Sequence, residues 1–91
     1  MKNDLIDKFN KSKYWLVSPL FKGDPNYLLV TTGDDGLHLL IWQDDNEERQ
    51  YRFTTHNEKH IASGLVQAKI MSLNYSKLCR AIDEAISILE D

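Results

Sequence analysis

The chain has 91 residues, 42% of them hydrophobic and 27% charged, with a formal charge of −3. Those proportions fit one ordinary globular domain spanning 1–91 and exclude a disordered or fibrous chain. The weak negative charge argues against non-specific binding to nucleic acid or anionic membranes, and no stretch approaches the ~20 apolar residues of a membrane span.

The charge is unevenly spread. Residues 1–23 carry five Lys (2, 8, 11, 13, 22) against Asp4 and Asp7, a local +3. The remaining 68 residues carry six basic and twelve acidic side chains, a local −6. An acidic body of this kind is either a solvated surface or a device that steers towards a basic partner. The single Cys79 allows no intrachain disulfide, which suits a reducing compartment. The first residues, Met-Lys-Asn-Asp-Leu-Ile-Asp-Lys, lack the apolar run of a signal peptide. A cytoplasmic protein is expected.

Asn3 or Asp4 can cap a short helix that ends near Ser12, with Leu5, Ile6 and Phe9 as a narrow apolar stripe. Tyr14 to Phe21 reads as a first strand. Pro19 lacks a ladder donor, which makes this an edge strand or marks a strand end. Gly23-Asp24-Pro25-Asn26 is a turn, and Tyr27 to Thr32 a second strand. Gly33-Asp34-Asp35-Gly36 is a hairpin connection, closed as a two-residue Asp35-Gly36 turn or as a four-residue loop. Leu37 to Gln43 is the third strand, Asp44 to Glu48 a charged loop, and Arg49 to Thr55 the fourth strand.

Residues 56–72 carry two periodicities. Val66, Ala68 and Ile70 alternate as in a strand. Ile61, Leu65, Ala68 and Met71 are spaced as in a helix interrupted by Gly64, and the helix is preferred. The C-terminal helix is the clearest element. Asn74 serves as its N-cap and Leu73 and Leu78 as a hydrophobic staple. Leu78, Ile82, Ala85, Ile86 and Leu89 form one stripe. Cys79 borders the stripe as a small hydrophobe.

These elements predict an α+β fold: an antiparallel three- to four-stranded meander sheet, a short N-terminal helix, and a C-terminal helix packed on one face. Either loop length at 33–36 puts Leu28 and Val30 on the face of Leu37, Leu39 and Ile41. A five-residue loop at 44–48 adds Tyr51 and Phe53 by pairing Ile41 with Tyr51 and Leu39 with Phe53. This set is the predicted core, and the stripe of the C-terminal helix is its cover.

The third strand, Leu-His-Leu-Leu-Ile-Trp over 37–42, is apolar on both alternate sides. A strand of that kind needs cover on two sides. Its second side carries Tyr27, Leu29, Thr31, His38, Leu40, Trp42, Arg52 and Thr54. The N-terminal helix or the 60–71 segment covers that side, or a second copy does, or another macromolecule does. Trp, Tyr and Arg are the residue types enriched at interface hot spots.

Other constellations are weaker. His56 and His60 lie four apart, and Asp34 or Asp35 is geometrically able to complete a His₂Asp metal site. The spacing matches no zinc motif, so two loop histidines and no metal are expected. Asp24, Asp44, Asp45, Glu47 and Glu48 share one end of the sheet by strand reversal. They lack EF-hand spacing and read as a solubilising loop or as a patch that meets Lys or Arg. No P-loop, dinucleotide turn or nucleophile elbow is present, so neither an enzyme nor a cofactor is expected.

The expected function is non-enzymatic protein binding by an inhibitor, an immunity-type or counter-defence protein. An adaptor, a chaperone or a sheet-face nucleic-acid binder are the alternatives. The expected contact residues are Tyr27, Leu29, His38, Leu40, Trp42 and Arg52, with Asp44, Asp45, Glu47 and Glu48 steering a protein partner.

Overall fold

The computed structural model describes residues 2–19, 26–32, 37–54, 60–72 and 79–90. The chain begins with α1 (Lys2–Asn10), followed by β1 (Leu16–Val17), β2 (Tyr27–Thr31), β3 (His38–Gln43) and β4 (Arg49–Thr54). It continues through β5 (His60–Ala62), α2 (Leu65–Ser72) and α3 (Cys79–Glu90). The five strands form one antiparallel sheet in the order β1-β2-β3-β4-β5. The expected helix, meander and C-terminal helix are therefore present. A fifth strand and an additional helix lie between β4 and α3.

The register follows the hydrophobic pattern, because a slip of one residue would turn every core side chain to the wrong side. Val30 pairs with Leu39 and Leu28 with Ile41. Ile41 pairs with Tyr51 and Leu39 with Phe53. The four-residue connection at 33–36 is thus the register adopted. Thr32 closes it: its N–H donates to the Leu37 carbonyl at 3.0 Å, and its Oγ1 accepts from the Leu37 N–H at 3.1 Å.

Leu28, Val30, Leu37, Leu39, Ile41 and Phe53 are buried, and Tyr51 packs against them half-exposed. From α3, Ile82, Ala85, Ile86 and Leu89 of the expected stripe join this cluster, and Ala81 is buried with them. Leu5 and Phe9 of α1 and Ala68 of α2 belong to it as well. All three helices therefore contribute to the core on the Leu39 side of the sheet.

Some local expectations change. Asn3 and Asp4 lie inside the first turn of α1 rather than at its cap; Asp4 there suits the positive end of the helix dipole. The first strand shrinks from the expected Tyr14–Phe21 to Leu16–Val17. Its start is taken up by a turn around Ser12, and Pro19 cannot extend the ladder. In 56–72 the preferred helix is present only after Gly64, where α2 takes in Val66, Ala68 and Ile70, the residues that alternate as in a strand; Ile61, placed on the helical stripe, lies in β5 instead. Asn74, Leu73, Leu78 and the turn at 23–25 lie outside the described residues, as does the Cys79 side chain.

Trp15 anchors the turn between α1 and β1. It is fully buried, with its ring edge-on to Phe9 at 6.3 Å and to Phe53 at 6.4 Å between centroids. Its Nε1–H donates to the Ala81 carbonyl at 2.7 Å, which ties the turn to α3. Ser12 Oγ accepts from the Tyr14 and Trp15 N–H groups at 3.1 and 2.9 Å and donates to Glu84 Oε1. Glu84 also accepts from the Lys13 and Tyr14 N–H groups at 3.3 and 3.4 Å. One carboxylate of α3 thus holds the backbone of the turn that delivers α1 and Trp15 to the core.

Candidate interaction face

The second side of the sheet is built by the residues that alternate with the core. Cross-strand pairing aligns them in rows. Tyr27, Trp42 and Gln50 form one row, Leu29, Leu40 and Arg52 a second, and Leu16, Thr31, His38 and Thr54 a third. Leu29, His38, Leu40, Trp42, Gln50 and Thr54 are half-buried, and Arg52 is exposed. Tyr27 is 39% and Leu16 64% exposed. Among the described residues no helix covers this side. Leu5, Phe9 and Ala68 belong to the opposite core, and β5 lies in the plane of the sheet at its edge. Of the three covers considered, the N-terminal helix and the described side chains of 60–71 do not lie over these rows: Leu5 and Phe9 of α1 pack with Trp15, and Ala68 belongs to the same core.

The structure brings together the six expected contact residues of this face, Tyr27, Leu29, His38, Leu40, Trp42 and Arg52, with Thr31 and Thr54 beside them. It adds Gln50 and Leu16. Leu16 was hard to place from sequence, since Trp15, Leu16 and Val17 are all apolar and alternation cannot say which one faces out.

The acidic hairpin adjoins this face. Asp44 shares the parity of Trp42, and its Oδ2 accepts from Gln50 Nε2 at 2.9 Å. Its Oδ1 accepts from the Asn46 and Glu48 N–H groups, both at 2.9 Å. Backbone bonds of 2.9 Å from the Asp44 N–H to the Glu48 carbonyl and from the Glu47 N–H to the Asp44 carbonyl close the loop. Gln43 Nε2 adds a bond to the Glu47 carbonyl at 2.8 Å. Glu47 has φ 62°, the left-handed region that this bulged loop demands. The Asp44 carboxylate therefore orders the loop from within. Asp45, Glu47 and Glu48 are exposed.

Neither Asp34, Asp35 and His56 nor the His60 side chain lies among the described residues, and Asp24 is likewise outside them. Among the described residues no group of three or more His, Cys, Asp or Glu is placed to hold a metal ion. No described helix is long and apolar enough to cross a membrane.

Comparison with protein-family models, curated proteins and solved structures gives no match. The face is accordingly interpreted from its own chemistry. A flat surface with an aliphatic and aromatic centre, one exposed guanidinium and a preformed acidic hairpin offers contact area and charge. It brings together no nucleophile, base and oxyanion donors around one point, as a reacting atom requires.

Proposed function

We propose that this chain is a non-enzymatic protein-binding module of the inhibitor, immunity-type or counter-defence kind, acting through the Trp42 side of its sheet. The observation that carries the reading is the apolar row structure on a side that no described helix covers. Trp42 and Leu40 stand at its centre and Arg52 at its flank. A partly buried tryptophan beside aliphatic neighbours, with a polar surround, is the composition of an interface hot spot rather than of a solvated sheet face. The sheet is held rigid from behind by three helices, so the face is preorganised and little ordering cost falls on binding.

A sheet-face nucleic-acid binder would present similar aromatics. The acidic hairpin adjoining Trp42 repels a polyanion and favours the protein reading.

The test is a comparison of Trp42→Ala with the native protein. The variant is expected to keep its circular dichroism and cooperative melting and to lose co-purification with a specific partner in the native host. Global unfolding of the variant would move Trp42 into the core and sink the proposal. Retention of a random oligonucleotide that falls steeply with salt would favour the nucleic-acid reading instead.

A further inference from the structure

We infer that the partner seated on the Trp42 face has an apolar contact centre with Lys or Arg side chains at one end, and that this basic end lies over the 44–48 hairpin. The inference rests on the protein-binding reading above and specifies the partner's chemistry.

Continuity of face and hairpin is the first argument. Trp42 pairs with Gln50, and Gln50 donates to Asp44, so the apolar rows run directly into the acidic loop. A body that covers Trp42 and extends along β3 meets the exposed Asp45, Glu47 and Glu48 next. These carboxylates are carried on a loop closed by backbone bonds and by Asp44. A cation that reaches them does not have to order the loop first.

Area is the second argument. Strands about 4.8 Å apart rising about 3.3 Å per residue give a sheet with three central strands of five or six residues and two short edge strands a footprint of about 350 Å². A standard stable interface buries about 800 Å² on each partner. The face alone falls short, and the adjoining hairpin is the surface that extends it.

Charge also selects against a second copy of the chain. Two face-to-face arrangements with two-fold symmetry align the strands. With strands running the same way, the two 44–48 hairpins meet at one end and set carboxylates against carboxylates. In either arrangement each copy carries −3. Like charges placed together oppose association, whereas a basic rim converts the same field into steering.

The probe is a random peptide library displayed on phage and selected against the native protein. Selected sequences are expected to combine aromatic or aliphatic residues with an excess of Lys and Arg. The triple variant Asp45→Asn/Glu47→Gln/Glu48→Gln leaves Asp44 and the loop bonds in place. It is expected to bind a selected peptide about tenfold more weakly, mainly through a slower association rate, and with less sensitivity to salt. Trp42→Ala is expected to abolish binding of the same peptide. Peptides without a basic excess, or equal binding by the triple variant, overturn the basic partner while the face reading survives through the Trp42→Ala loss. Peptides bound equally by a folded Trp42→Ala, or no enrichment at all, overturn the face reading itself. A dimer mass in light scattering that Leu40→Glu converts to monomer overturns the inference in favour of a second copy.

Discussion

Trp15 and Trp42 stand on opposite sides of one sheet and meet different surroundings. Trp15 is closed in by Phe9 and Phe53, its one polar atom is spent on a carbonyl of α3, and two helices converge on it. Trp42 has cross-strand neighbours in Tyr27 and Gln50 and no described helix above it. The same residue type therefore acts as a keystone in one place and as presented surface in the other. What differs is whether an element of the chain can bury its own apolar stripe there. The stripe of α1 is short, and the α1–β1 turn commits it to the Trp15 side. Among the described residues of that part of the chain, Leu16 alone adds an apolar side chain to the other face.

Four substitutions probe this contrast. Trp15→Ala should have the largest effect, about 3–5 kcal/mol lost, from the cavity and the abandoned Ala81 carbonyl. Since small domains have about 5–15 kcal/mol in all, the variant is expected to be largely unfolded or to melt far lower in a denaturant or thermal scan. A mild effect would mean that Trp15 is no keystone. Glu84→Ala should come next, at about 1.5–3 kcal/mol, because it strips a charged acceptor from Ser12 and the 13–14 backbone. Hydrogen exchange should then accelerate at Lys13 and Tyr14 before it does in β3; uniform acceleration would show that the turn has no local latch.

Trp42→Ala should cost less, about 1–2 kcal/mol, since its side chain is only partly buried and no described helix packs on it. A loss equal to that of Trp15→Ala in the same urea titration would erase the distinction between the two faces. The smallest effect is expected from Glu47→Gly, a gain of about 0.5–1 kcal/mol from relief of the left-handed backbone, partly offset by the entropy of a freer unfolded chain. A lower urea midpoint for that variant would show that the Glu47 side chain contributes something beyond filling the position.

Much of the core was legible in the sequence because the pairing of β2, β3 and β4 fixes which alternate residues share a side. Leu28 and Val30 share the parity of Leu37, Leu39 and Ile41 under either loop length at 33–36, and Tyr51 and Phe53 join them under the five-residue loop at 44–48. The stripe of α3 was equally plain at helical spacing. Less legible was anything decided by contact over a long chain separation. Trp15 is one apolar residue in a run of three, so neither its burial nor its rank could be read from pattern. Glu84 lies on the polar flank of a helix and resembles any solvated glutamate; its partners are backbone amides some seventy residues away. The composition of the Trp42 face was visible, whereas its lack of a helical cover depended on which side α1 chose. Asp44 read as one of several steering acids, and only the loop geometry gives it an internal structural role.

α2 provides a further contrast. Its Val66 and Ile70 are 74% and 58% exposed, while the exposed positions of α3 are Arg80, Asp83, Ser87 and Glu90. Lys69 and Glu90 form an ion pair across the two helices at half-exposed positions, of the kind that adds about 1 kcal/mol or less. Two side chains on adjacent turns offer far less area than a stable dimer requires, so this pair alone cannot hold a second copy.

The placement of the two indoles also gives the molecule a built-in optical readout. Trp15, dry and wedged between phenyl rings, should emit to the blue and resist a water-borne quencher such as iodide. Trp42, in partial contact with water, should emit to the red and be quenched readily. Loss of the blue component would then report unfolding, and a blue shift with protection of the red component would report occupation of the sheet face. Both events can be followed in one cuvette, without a label and in competition with each other.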